Sequence, residues 1–112
     1  MDLNIVKALA SLAQESRLAI FRALVAAGAE GLTAGRIGEL AGISPSSVSF
    51  HMKELMHADM VASRNEGRFV IYTANFAATN ELIGFLTENC CGGKQCLPSM
   101  KSTSRKKKAP RK

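Results

Sequence analysis

The chain of 112 residues lacks features that define several other classes of protein. No apolar run approaches the roughly 20 residues that a membrane-spanning helix needs. The N-terminus, MDLNIVKALA, lacks the basic start and the cleavage site of a secretory signal, so we expect a cytoplasmic protein with no membrane partner. The length and the 46% share of hydrophobic residues are enough for one domain with a modest core.

Cysteine and histidine are scarce, and catalytic motifs are absent. The three cysteines, Cys90, Cys91 and Cys96, are an odd number, and a reducing compartment would keep them as thiols rather than as a disulfide framework. The two histidines, His51 and His57, form no cluster with acidic residues at catalytic or zinc spacing, and phosphate-binding glycine loops and nucleophile motifs are missing. We therefore expect neither an enzyme nor a resident cofactor.

The positive charge of the chain is concentrated at one end. The net charge is +6, but residues 101–112 hold 7 of the 15 basic residues, which leaves 8 against 9 acidic residues elsewhere. This run is explained either by a solvated, disordered tail or by a segment that binds phosphates whatever the nucleotide sequence. The case for a nucleic-acid partner therefore depends on the rest of the chain.

Helical periodicity predicts two amphipathic helices before Gly28. The first covers residues 3–13, and Ser16 is the predicted N-cap of the second, which Gly28 ends. The apolar stripes of the two helices are formed by Leu3, Ile5, Val6, Leu9 and Leu12, and by Leu18, Ile20, Phe21, Leu24 and Val25.

Two further helices are predicted with a very short link between them. Thr33 caps the third helix, which runs to Ala41 with Ile37 and Leu40 inward, and Gly42 ends it. Ser44 and Pro45 are an N-cap and a first helical residue, so a fourth helix begins after a link of two residues. This helix, about 45–58, is expected to turn four side chains inward: Val48, Met52, Leu55 and Met56.

The C-terminal half predicts a hairpin and a last helix. Residues 60–64 and 69–73 flank a turn at 65–67, with Gly67 at positive φ. A fifth helix, about 75–89, has more apolar surface than one exposed face explains, in Phe76, Leu82, Ile83, Phe85 and Leu86. The order α-α-α-α-β-β-α, mainly α with a β-hairpin wing, predicts a winged helix-turn-helix. Its first and last helices are expected to form a two-fold homodimer.

The start of the fourth helix and the tip of the hairpin are the predicted DNA-binding surfaces. Short hydroxyl side chains suit base edges in the major groove, and Arg64 and Arg68 bracket the hairpin tip, where guanidinium groups reach phosphates or a narrow minor groove. Serines that only cap the helix, and ordinary surface arginines, are the alternatives. His51 suits packing or a phosphate better than a metal. The predicted DNA-binding residues are Ser44, Ser46, Ser47, Ser49, Phe50, His51, Lys53, Arg64 and Arg68.

The segment ISPSSVSFHMKELMHADMVASRNEGRFVIYTA resembles the recognition helix and wing of the ArsR/SmtB metalloregulatory repressors. AQESRLAIFRAL resembles their second helix, and the likeness covers about residues 5–90. The pattern that carries it is Ser49, His51, Leu55, Gly67, Arg68 and Tyr72. The resemblance implies a dimer that represses a resistance operon and leaves double-stranded operator DNA when an ion binds.

The cysteines indicate where such an ion would bind. The third helix has no Cys-x-Cys arsenic site and the fifth lacks the His/Asp pairs of zinc sensors, whereas Cys90, Cys91 and Cys96 resemble the C-terminal arsenite sites of one branch of the family. Three soft thiolates suit As(III) or Sb(III) as inducer, while structural zinc would want a fourth ligand.

These expectations divide the chain into three parts. Residues 1–91 form the DNA-binding and dimerisation domain, 92–100 the cysteine-containing sensor segment, and 101–112 the basic tail. A redox-sensing or other soft-metal-sensing repressor of the same fold, a DNA-binding module without a ligand, and a thiol metallochaperone stay open as alternatives.

Overall fold

The computed structural model describes residues 3–93. It contains five α-helices and one small antiparallel sheet. They are α1 (Ile5–Leu12), α2 (Glu15–Ala27), β1 (Leu32–Thr33), α3 (Ala34–Ala41), α4 (Pro45–His57), β2 (Val61–Glu66), β3 (Phe69–Ala74) and α5 (Phe76–Leu86), with 3-10 turns at Gly28–Glu30 and Cys90–Gly93. This order confirms the predicted winged helix-turn-helix. Within the described residues, no helix is both long and apolar enough to cross a membrane.

The junction between α1 and α2 differs from the prediction. Gln14, rather than Ser16, is the N-cap of α2, and its side-chain oxygen accepts a hydrogen bond from the Arg17 amide at 2.9 Å. Arg17 Nε donates to the Ser11 carbonyl at 2.7 Å, which ties the end of α1 to the start of α2. The glutamine oxygen accepts from the amide three residues later, as a shorter capping side chain would, so the helix begins two residues earlier than the serine indicated.

The helix-turn-helix forms as predicted. Thr33 Oγ1 accepts from the Arg36 amide at the start of α3, and Ser44 Oγ accepts from the Ser47 amide at the start of α4. Gly42 ends α3 in the left-handed conformation, with φ at 71°. The amides of Gly42 and Ile43 both donate to the Gly38 carbonyl, which closes the turn between the helices.

The wing has longer strands and a tighter turn than the sequence indicated. Glu66 pairs with Phe69, so the connection is Gly67-Arg68 rather than residues 65–67, although Gly67 does have the predicted positive φ of 62°. The short strand β1 also pairs with β3, through Leu32 and Tyr72. The hairpin is therefore part of a three-stranded sheet of order β1-β3-β2.

The core lies between the helices and the base of the sheet. Val48, Met52 and Leu55 are buried as predicted and hold the inner face of α4 against it. Leu40 and Met56 were predicted to point inward, but they are 51% and 39% exposed. Both lie at the edge of their helix's apolar stripe, where a single periodic pattern does not fix the direction of the side chain.

Large apolar side chains remain exposed on the first and last helices. Val6 on α1 is 76% exposed, and Ile83, Phe85 and Leu86 on α5 are about half exposed. The helix α5 ends at Leu86, three residues before the predicted end. These faces are those expected to meet a second protomer.

Asn75 connects α5 to the loop after α4. Its side-chain oxygen caps α5 by accepting from the Ala78 amide at 3.1 Å, while its Nδ2 donates to the Asp59 carbonyl at 2.8 Å. We expect Asn75→Ala to lower the free energy of unfolding by about 2 kcal/mol, because a cap and a second hydrogen bond are lost.

Asn4→Ala is the matched control in urea denaturation. Asn4 caps α1 in the same way, through the Lys7 amide, and is exposed. Its replacement should cost only about 1 kcal/mol. Equal losses in the two variants would show that the contact with Asp59 contributes nothing.

Candidate nucleic-acid interface

The N-terminal turn of α4 presents a group of hydroxyls. Ser44 Oγ lies 3.1 Å from Ser47 Oγ and 3.3 Å from Ser46 Oγ, and Ser44 and Ser46 are exposed. Backbone amides at the start of a helix face outward and favour an anion. The turn therefore offers both hydroxyl groups and a positive local potential to a ligand in front of it.

The outer face of α4 continues this surface along the helix. Ser49, Phe50 and Lys53 are exposed, and Phe50 is 58% exposed with its ring edge against His51, at 5.5 Å between ring centroids. His51 is half-buried, and its Nδ1 has no hydrogen-bond partner among the described residues. Because the inner face is fixed in the core, this outer face is held in one orientation.

A groove of about 310 Å³ runs between α4 and the base of the wing. Ser49 and Lys53 line it from the helix, and Tyr72 lines it from β3. Met52, Met56 and His57 complete the lining, so polar and apolar side chains share this concave surface.

The two wing arginines have different surroundings. Arg68 is exposed in the hairpin turn and lines a second groove, with Thr33 and Gly35 at the start of α3. The Arg64 guanidinium instead donates to the carbonyls of Ala29 and Glu30, at 3.1 and 3.0 Å, and its Nε lies 2.8 Å from Glu66 Oε2. Both arginines were predicted to contact DNA, because a hydrogen bond across 34 or 35 positions leaves no local pattern that distinguishes them.

The predicted ion site falls mostly at the edge of the described chain. Cys90 is half-buried and begins the last 3-10 turn, with its amide donating to the Thr87 carbonyl at 2.9 Å. The backbone of Cys91 belongs to the same turn, and Cys96 lies outside the described residues. Within residues 3–93, no group of three histidine, cysteine or acidic side chains could hold a metal ion. The three-thiol site stays a prediction.

Comparison with known proteins finds similarity to a helix-turn-helix domain family and to a transcriptional regulator. A family described as a helix-turn-helix domain matches residues 12–64. The uncharacterized HTH-type transcriptional regulator YceK of Bacillus subtilis (strain 168) is 41% identical over 58 residues, which are 52% of this chain and 57% of that protein. The match thus spans little more than half the length of this relative. These helix-turn-helix matches confirm the prediction that the chain is not an enzyme.

Solved structures share the fold over most of the chain. An ArsR-like transcriptional regulator from Rhodococcus sp. RHA1 superimposes with a TM-score of 0.65 at 24% identity, covering 73% of this chain and 74% of that one. A homodimeric winged helix-turn-helix DNA-binding domain from Mycobacterium bovis, a possible ArsR-family regulator, gives a TM-score of 0.60 at 20% identity and covers 83% and 86%.

Proposed function

We propose that this chain, which has a winged helix-turn-helix fold, is a transcriptional repressor of the ArsR type whose homodimer leaves its operator when As(III) or Sb(III) binds. The observation that carries the proposal is the outer face of α4, which presents exposed serines and Lys53 while the inner face is fixed in the core. Arg68 is exposed as well, in the turn of the wing. This arrangement suits a duplex whose major groove receives α4 while the wing meets the adjacent backbone.

The side chains of this surface divide into two roles. Ser44, Ser46, Ser47 and Ser49 are the candidates for base edges, since a hydroxyl both donates and accepts hydrogen bonds. Lys53, Arg68 and the ring nitrogen of His51 are candidates for phosphates, which fix the register of the protein on the duplex. Phe50, exposed beside them, can contact a thymine methyl group.

Dimerisation would bury the exposed apolar faces of α1 and α5. Contiguous apolar surface on a small domain marks an interface, and the Mycobacterium bovis relative is homodimeric. A two-fold dimer presents two α4 helices to half-sites about 34 Å apart on one side of the duplex.

The choice of inducer follows from the chemistry of the cysteines. Cys90, Cys91 and Cys96 supply thiolates only, and soft thiolates select soft ions. Cys90 lies four residues beyond the end of α5, so ion binding there would act next to a helix expected in the dimer interface. An ion that binds the two states with different affinity shifts the equilibrium away from DNA.

Fluorescence anisotropy of a labelled promoter fragment from the protein's own operon tests the proposal. Arsenite should weaken binding of the reduced protein by about 5-fold to 150-fold, the usual range of coupling between two sites. Cys90→Ser and Cys96→Ser should bind the fragment as the parent does and stay bound when arsenite is added.

Two outcomes would contradict parts of this function. If the protein forms no tight complex with the fragment, the proposed repressor function is wrong. A complex that arsenite leaves intact would support the repressor function and exclude the arsenic site. Release by an oxidant instead would identify a redox sensor.

A further inference from the structure

The Arg64 guanidinium is held by groups of the protein itself. Its Nη1 and Nη2 donate to the carbonyls of Ala29 and Glu30, and its Nε pairs with Glu66 in the same strand. The planar fork of an arginine directs several donors along fixed directions, so these bonds together define the orientation of the side chain. Arg64 thus connects β2 to the 3-10 turn that follows α2.

The acceptors at this turn suit a cation. Carbonyls at the end of a helical segment have no partner within it and carry a partial negative charge. Arg64 donates two hydrogen bonds to these carbonyls and places its positive charge beside them, while its side chain remains 42% exposed. An aliphatic side chain at this position would satisfy neither carbonyl, and an amide would bring no charge.

The same turn is pressed against the wing at a second point. Gly31 follows the carbonyls of Ala29 and Glu30, and a Cβ added to it would meet the Tyr72 carbonyl and the Ile71 side chain. Ile71 is the cross-strand neighbour of Arg64. The base of the wing is therefore packed on this turn through β3, and Arg64 attaches the outer strand β2 to the same turn.

We propose that Arg64 is a positioning residue, which holds the wing against the turn after α2 so that Arg68 at the tip meets a phosphate. The inference rests on the proposed DNA-binding function and replaces the expectation that both arginines touch DNA. A two-stranded ribbon is only marginally stable by itself, so the outer part of the hairpin needs such an attachment to keep one orientation.

Hydrogen exchange in the protein without DNA gives the first test. Arg64→Lys keeps the charge but loses the fork, and we expect the amides of residues 64–71 to exchange about tenfold faster. Amides of α2 and α4 should keep the parent rates, whereas a general loss of stability would raise them as well. Arg68→Lys is the matched control and should leave exchange in the wing unchanged. Unchanged exchange in Arg64→Lys would overturn the proposal.

Operator binding gives the second test. Arg64→Lys should weaken binding about fivefold to tenfold in the parent protein, but less than twofold in an Arg68→Gln background, because the two changes then remove one contact. A phosphate contact by Arg64 would predict the opposite. Arg64→Lys would then be mild, and Arg64→Gln would lower the salt slope by about 0.9 additively with Arg68→Gln. If no fragment is bound at all, the proposed function fails, and the exchange rates alone decide whether Arg64 holds the wing.

Discussion

Gly31→Ala is expected to lower the free energy of unfolding by about 4 kcal/mol, because backbone strain and a steric clash act together. Gly31 has φ at 72° and ψ at −171°, a region open essentially to glycine. A Cβ at this position would meet the Tyr72 carbonyl oxygen and lie 2.6 Å from Ile71 Cγ2 and 2.8 Å from Thr73 Cγ2. Two of these three atoms belong to β-branched side chains and one to the backbone, so none can move aside without shifting β3.

Gly28→Ala separates the two causes. Gly28 lies three positions earlier with nearly the same backbone, φ at 69° and ψ at −151°, but a Cβ there meets nothing within 4 Å. It should therefore lose only the strain, about 1 to 3 kcal/mol, and unfold in urea well after Gly31→Ala. Equal midpoints for the two variants would show that the wing moves to accommodate the methyl group.

Leu55→Ala is expected to cost about 2 to 5 kcal/mol of unfolding free energy, because it removes a fully buried side chain and leaves a cavity. Leu55 is completely buried on the inner face of α4, and its carbonyl accepts from the Met60 amide where the chain leaves the helix. The loss would fall on the helix that carries the candidate DNA surface. Operator binding at 25 °C should therefore weaken with stability, although no proposed contact is removed.

Met56→Ala is the control for Leu55→Ala, since it truncates the next residue of the same helix. Met56 is 39% exposed, and its replacement should cost less than about 1 kcal/mol. Thermal or urea unfolding of the two variants would check this. A larger loss from Met56 would mean that this side chain is buried in a contact between protomers.

The parts of the fold that the sequence predicted are those fixed by local chemistry. Ser44-Pro45 starts α4 because a serine oxygen satisfies a free amide and a proline needs none. Gly42 and Gly67 end a helix and close a hairpin because both adopt positive φ. Each signal acts within a few residues, so a single sequence is enough to read it.

The parts that the sequence missed depend on distant partners. The strand β1 has only Leu32 and Thr33, and it exists because β3 offers a free edge about forty positions later. The role of Arg64 depends on carbonyls 34 and 35 positions away. The candidate DNA surface was predicted because it lies at a helix start and a turn, but the difference between the two wing arginines was not.

The strand β1 determines what can move in this protomer. Thr33 is at once the last residue of β1, paired with Ile71, and the N-cap of α3. The base of the wing and the helix-turn-helix are thereby joined through one residue, so a rotation of one against the other would break hydrogen bonds of Thr33. If the proposed inducer binds at the end of α5, we expect it to change the angle between two protomers whose DNA-binding elements stay intact.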